Sequence, residues 1–260
     1  MGGSQNVGMA LTLTLLAGLS TGIGSTIAYF IRQPKMVYLA FSLGLSAGAM
    51  VYVSLVELLP KASDIIGHAS GVFVFFAGIL FIGIVDLLVP EIENPHHYEG
   101  IEETTDSPHD ERRLMRAGVM TAIAIGIHNV PEGLATFTSA LSDVHLGILI
   151  AIAIAIHNIP EGIAVSVPIF YATLSRNKAF FYSFLSGAAE PLGAVLGFLL
   201  LRPFLTPAVL AGTLAFAAGI MIYISLDELL PTAHSYGHGH FVISGVVLGM
   251  LVMAVSLLLL

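Results

Sequence analysis

The stretch "AGAMVYVSLVELLP" at residues 47–60 returns as "AGIMIYISLDELLP" at 218–231. Ten of the fourteen aligned positions are identical: Ala47/Ala218, Gly48/Gly219, Met50/Met221, Tyr52/Tyr223, Ser54/Ser225, Leu55/Leu226, and Glu57-Leu58-Leu59-Pro60 against Glu228-Leu229-Leu230-Pro231. A shared apolar bias does not produce an identity that long, so one part of the chain repeats another. A weaker match pairs "AGLSTGIG" (17–24) with "SGAAEPLG" (186–193), and Pro34 with Pro203 at the same offset. Nearer the middle, "HNVPEG" (128–133) recurs as "HNIPEG" (157–162).

The surroundings of these copies set the fold class. Of 260 residues, 56% are hydrophobic and 10% charged, with a mean hydropathy of +0.92. A soluble domain carries roughly 25% charged residues. Apolar runs long enough to cross a bilayer cover 8–31, 36–60, 70–90, 114–140, 144–170, 179–201, 207–230 and 241–260. The expectation is an all-α integral membrane protein: eight transmembrane helices forming one transmembrane domain over 1–260, with no soluble domain. The first run has no Lys or Arg before it, unlike a secretory signal, and reads as a retained helix. The lack of cysteine excludes disulfides and thiolate metal ligands. Much of the net charge of −8 lies in one polar stretch, Asp86 to Glu111. Its composition predicts a mobile, acidic, histidine-containing loop over 91–111, between the third and fourth helices.

With eight crossings, helices 1–3 pair with helices 6–8 and helix 4 pairs with helix 5. Each equivalent pair is an odd number of crossings apart, so its members traverse the membrane in opposite directions. This is the inverted repeat of secondary transporters, which place substrate near the midplane where the repeats meet. Orientation follows from the basic residues. Loops 1–2, 3–4, 5–6 and 7–8 hold Arg32, Lys35, Arg112, Arg113, Arg116, Arg176 and Lys178, against only Lys61 and Arg202 opposite. Positive residues favour the cytoplasmic side. Both termini are therefore expected outside the cytoplasm, with the acidic loop and "HSYGHGH" (234–240) inside.

The doubled motif carries the chemistry. On a helix, residues four apart share a face, so His128 neighbours Glu132 and His157 neighbours Glu161. Asn129 and Asn158 extend the polar face about 100° further round. Pro131 and Pro160 take the helical donor from the carbonyls of Ile127 and Ile156, a feature tolerated at membrane depth beside packed protein or a wet cavity. Two imidazoles and two carboxylates form a borderline donor set suited to Zn²⁺, Fe²⁺, Mn²⁺ or Co²⁺. A single buried histidine is more often a satisfied structural group, but doubling with proline in both copies favours a metal site. Glu190 is the only charge between Lys178 and Arg202 and reads as a further acid ligand; its repeat mate is Thr21. Met50 and Met221 are, on the residues alone, ordinary packing groups. Glu57, Asp227 and Glu228 are either mouth groups that attract cations or plain interfacial charges. His96, His97, His109, His234, His238 and His240 read as weak, nonspecific binders.

At these residues the chain resembles the ZIP (Zrt/Irt-like) family of divalent metal transporters, and in particular its bacterial branch, over essentially all eight helices. The resemblance implies a homodimer in the bacterial inner membrane that takes up Zn²⁺, and often other divalent metals, into the cytoplasm. It maps a first metal site onto His128, Glu132, His157 and Glu161, and makes Met50 a ligand. An adjoining second site maps onto Asn129, Asn158 and Glu190, with Glu132 and Glu161 bridging. Some relatives carry Gln or Asp in the helix 5 motif where this chain has His157 and Asn158, so their metal preference does not transfer.

The expected function is a metal permease with no catalytic cofactor. Its partners are divalent ions and the lipid bilayer, not nucleic acid. The rival reading is an intramembrane metalloenzyme, a hydrolase or di-metal oxidase. Against it, the chain lacks His-Glu-x-x-His, repeated His-x-x-His boxes and a serine nucleophile motif. A third reading, a metal sensor or scaffold, would bind without net flux.

Overall fold

The computed structural model describes residues 3–30, 36–88, 108–204 and 206–259. Among these residues there is no strand, and eight long helical stretches follow one another: α1 (Gly3–Phe30), α2 (Met36–Ile66), α3 (His68–Leu88), α4 (Pro108–Ser142), α5 (Val144–Thr173), α6 (Arg176–Phe204), α7 (Pro207–Ser235) and α8 (Gly239–Leu259). Seven of them are long and apolar enough to cross a membrane, and α4 is 35 residues long. The chain is a multi-pass all-α membrane protein. Most of the acidic loop, with His96 and His97, lies outside the described residues, while 108–111 form the start of α4. Arg32, Pro34 and Lys35 also lie outside them, as do the side chains of His109, Arg112, Arg113 and Arg116.

The repeated "LLP" does not end either helix. One π-helical turn, Ser54–Leu58, precedes Pro60, and another, Ser225–Leu229, precedes Pro231. Proline has no N–H and its ring crowds the carbonyl four residues back. A π turn shifts the bonding to the carbonyl five back: Leu59 N–H bonds the Ser54 carbonyl, and Leu230 N–H bonds that of Ser225. The helix thus absorbs its proline and runs on to Ile66 or Ser235. Glu57, Asp227 and Glu228 accordingly sit within the π turns rather than at helix ends. Helix α6 bends differently. It is interrupted at Ala188, just ahead of Pro191, which leaves Glu190 in the first turn of its second half.

Short connections are closed by local caps. Asp143 accepts hydrogen bonds from His145 and Leu146 N–H at the start of α5, and these hold its carboxyl below the usual aspartate range. Ser175 caps α6 through Lys178 N–H, and Thr206 caps α7 through Val209 N–H. Helix α2 ends at Gly67, whose φ of 84° is the left-handed region that favours glycine.

Four helices, α1, α4, α5 and α6, pack against one another in every pairing. Around them, α2 packs on α8 and α3 on α7, while α2 also meets α5 and α7 meets α4. Glycine sets these approaches. Gly44 and Gly48 lie under the carbonyls of Val242 and Val246, and Gly219 lies under that of Phe75. Gly24 abuts the Ile159 carbonyl and Gly193 that of Val130; Gly162 abuts Thr21 and Gly133 abuts Glu190. Inside a bilayer, close backbone packing replaces the hydrophobic drive between helices, so small residues belong at such crossings.

A side chain at these crossings meets a neighbouring backbone that cannot yield. Gly48→Val and Gly24→Val should each destabilise the folded bundle by about 1–3 kcal/mol, seen as a lower melting temperature in detergent. Gly212→Val, whose added carbon would meet nothing within 4 Å, should melt like the parent. Equal melting of all three would contradict this packing.

Candidate metal site

Both copies of the motif lie inside uninterrupted helix, with Pro131 within α4 and Pro160 within α5. Because α4 and α5 pack along each other, their polar faces meet in the middle of the protein. Glu132, His157 and Glu161 are fully buried and offer ligand atoms that all lie within 4.8 Å of one another. His157 Nε2 is 3.1 Å from Glu132 Oε1. The side chain of His128 lies outside the described residues; its backbone stands one helical turn before Glu132.

The asparagines are held by their amide nitrogens. Asn129 Nδ2 donates to the Ser186 carbonyl at 3.0 Å, and Asn158 Nδ2 donates to the Ala17 carbonyl at 3.0 Å. Asn158 Nδ2 also donates to Glu190 Oε1, which joins the buried Glu190 to the motif. These bonds orient each amide with its oxygen turned the other way. No described residue donates to Asn129 Oδ1, Asn158 Oδ1 or Glu132 Oε2. Buried acceptors of this kind are rarely left unmatched, and each costs roughly 1–3 kcal/mol when they are.

The charges point the same way. Two ionised carboxylates about 5 Å apart repel by about 3 kcal/mol even at an effective dielectric of about 20, before either is desolvated. Glu132 and Glu161 are at least that close. A divalent cation between them reverses the sign of that interaction and supplies the orphaned acceptors with a partner. With imidazole nitrogen and carboxylate oxygen and no thiolate, the donor set fits a first-row transition ion better than Ca²⁺ or Mg²⁺.

The structure also brings in a residue that the motifs did not flag. Ser46 Oγ donates to Glu161 Oε1 at 3.0 Å from within α2, and both groups are buried. Met50 is buried one turn further along α2, on the same face as Ser46. That spacing was the one sequence signal for Ser46. The remaining candidates lie elsewhere. Glu57 is paired with Lys61 at 2.8 Å, and His234, His238 and His240 belong to no cluster of three ligand groups among the described residues.

Known proteins resemble this chain over almost its whole length. Residues 85–257 match the family model described as ZIP Zinc transporter. The chain is 58% identical to a protein of Chlorobium limicola named Zinc transporter ZupT, over 98% of this chain and 99% of that one. Proteins of the same name from Nitratidesulfovibrio vulgaris and Streptococcus mutans are 56% and 57% identical, each over 98% of this chain and over 98% and 99% of their own lengths.

Ser46 touches Glu161 without belonging to the set of three. Ser46→Ala should therefore weaken zinc binding by about tenfold, the usual effect of losing a group that orients a ligand. Competition with a zinc-sensitive dye on detergent-purified protein would read this. Ser244→Ala, which removes only a bond to the His240 carbonyl, should change nothing. Unaltered affinity in Ser46→Ala would contradict the contact.

Proposed function

The chain belongs to the ZIP family of zinc transporters, and from that premise we propose that it carries Zn²⁺ across the membrane into the cytoplasm. It is a transporter, not an enzyme. The observation that carries the reading is the buried trio Glu132, His157 and Glu161, which stands where a hydrated ion would have to shed water. Carboxylate and imidazole donors replace that water and offset the ion's desolvation. Fe²⁺, Mn²⁺ and Co²⁺ satisfy the same donors, although the relatives' names speak of zinc alone.

In this reading His128 completes a first ion position with Glu132, His157 and Glu161, and Met50 closes it from α2. Asn129, Asn158 and Glu190 form a second position, with Glu132 and Glu161 bridging the two. The orphaned amide oxygens and the Asn158–Glu190 bond support this arrangement.

Transport rests on an inverted repeat in which α1–α3 correspond to α6–α8, and α4 to α5. The matched contacts support it. Gly24 on Ile159 and Gly193 on Val130 occupy equivalent positions, as do Gly162 on Thr21 and Gly133 on Glu190. The hydrogen bonds of Asn129 to Ser186 and Asn158 to Ala17 form another such pair. The bundle α1/α4/α5/α6 carries the ion and shifts against α2, α3, α7 and α8, exposing the site to one side and then the other. The basic-residue bias orients uptake toward the cytoplasm, with both termini on the opposite side of a bacterial inner membrane. The chain works as a homodimer.

Sealed proteoliposomes with a zinc-sensitive dye inside test this reading. Wild type should show saturable uptake, which a sensor or scaffold would not. Glu132→Ala and Glu161→Ala should fall to background while remaining folded, because each removes ligands from both positions. Glu190→Ala should retain measurable uptake and bind one ion where wild type binds two. Full activity in Glu132→Ala, or unchanged stoichiometry in Glu190→Ala, would sink the two-position site.

A further inference from the structure

The two copies of the doubled motif run on into unlike sequence. Beyond Glu132, α4 continues with Thr136, Ser139 and Asp143, at steps of four, three and four residues. That spacing keeps them on the face of the helix that carries Glu132. Their mates in α5, each 29 residues later, are Val165, Pro168 and Ala172. So a line of hydroxyls leaves the ion site along α4, and the equivalent line on α5 has none.

Thr136 and Ser139 are fully buried, and neither hydroxyl has a hydrogen-bond partner among the described residues. A hydroxyl inside a helix commonly bonds the carbonyl four residues back. Thr138 on the same helix does so with Leu134 at 2.7 Å, as do Thr14, Ser166 and Ser225 on theirs. The other buried hydroxyls without a partner are those of Thr21, Ser54 and Ser63. Thr21, whose carbonyl abuts Gly162 beside Glu161, stands level with the ion site, and Ser63 lies against Gly71 where α2 meets α3. Ser54 sits on α2 about two turns beyond Ser46, the residue that touches Glu161.

Helices α2 and α4 are both even-numbered crossings and run the same way, so Ser54, Thr136 and Ser139 share one half of the membrane. The opposite half is built dry. There Ser225, the mate of Ser54, donates to the Met221 carbonyl at 2.7 Å, and Val165, the mate of Thr136, is buried hydrocarbon. Depth fits as well. At 1.5 Å per residue, Thr136, Ser139 and Asp143 stand about 6, about 10 and about 16 Å from Glu132 along α4. The last figure is about half the hydrocarbon core of a bilayer, so the line ends where water begins. Asp143 is exposed there, its carboxyl held low by the N–H groups of Leu146 and His145 and also by the Lys61 ammonium near the end of α2.

A hydroxyl oxygen is a neutral, weak donor. It takes the place of one water on a passing dication without holding it as a carboxylate would, and conduction needs positions that an ion can leave. We infer that Thr136 and Ser139 are stepping oxygens for the ion between the membrane face at Asp143 and the buried trio, and that they set how fast it enters and leaves. The inference rests on the transport reading above and names the route on one side of its site.

Thr136→Val keeps the shape of the side chain and removes its oxygen, and Ser139→Ala removes the other. In proteoliposomes each should lower the maximal rate of zinc uptake by about tenfold, the effect of losing one oxygen contact to a charged species. Thr136→Ser should restore the rate. Stopped-flow zinc binding to detergent-purified protein, read with a zinc-sensitive dye, should become slower in both directions at an unchanged dissociation constant, which lost packing would not produce. Thr138→Val, whose hydroxyl is bonded within its own helix, should match the parent in both assays. Parent-like rates in Thr136→Val and Ser139→Ala, an affinity that falls along with the rate, or a Thr136→Ser as slow as Thr136→Val would overturn the route. The binding arm needs no transport. A parent protein that binds zinc but takes none up contradicts the transport reading, while the route still stands or falls on the stopped-flow rates. Should one single variant fail to fold, the other carries the same readout.

Discussion

Two carboxylates buried within 4.8 Å of each other, beside a buried imidazole, are the constraint from which the rest of this structure follows. Hydrocarbon offers such groups neither water nor counter-ions, so protein must surround them on every side. The four-helix arrangement of α1, α4, α5 and α6 does this, with α2 closing the remaining face through Ser46. The site is poised rather than satisfied. Its amide nitrogens are spent on the Ser186 and Ala17 carbonyls, and no described residue donates to the two amide oxygens.

Glycine makes that enclosure possible. Where Gly133 meets the Glu190 backbone and Gly162 meets that of Thr21, the helices bearing the motif come as near to α6 and α1 as backbones can. The same closeness lets Asn158 on α5 reach both Ala17 and Glu190, on two other helices. A bulkier residue at 133 or 162 would separate the very groups that assemble the site. The "G" of each His-Asn-x-Pro-Glu-Gly thus shapes the buried cluster through backbone packing, as the acid before it does through its carboxylate.

Much of this was legible in the residues themselves. The apolar runs marked all eight helices to within a few residues at most ends, because a run of about twenty apolar residues is suited to a bilayer and to little else. The doubled motif singled out Glu132, His157 and Glu161, which the structure brings within 4.8 Å of one another. Other features escaped. Pro60 and Pro231 look like helix ends, and only the backbone reveals the π turns that let both helices continue. Ser46 is one serine among many in apolar helices and gains meaning only from the 3.0 Å bond to Glu161. In the sequence Glu57 reads equally as a mouth group or an interfacial charge, and its ion pair with Lys61 is a three-dimensional fact.

The central claim is that an imidazole and two carboxylates from α4 and α5 hold one transition ion in the protein interior. Zinc K-edge X-ray absorption on the purified, zinc-loaded protein tests it most directly. The expected first shell is chiefly nitrogen and oxygen at about 2.0–2.1 Å, with a longer sulfur contribution from Met50 and outer-shell scattering from imidazole that diminishes in His157→Ala. An all-oxygen shell without imidazole scattering, or a spectrum that Glu132→Ala leaves unchanged, would contradict it.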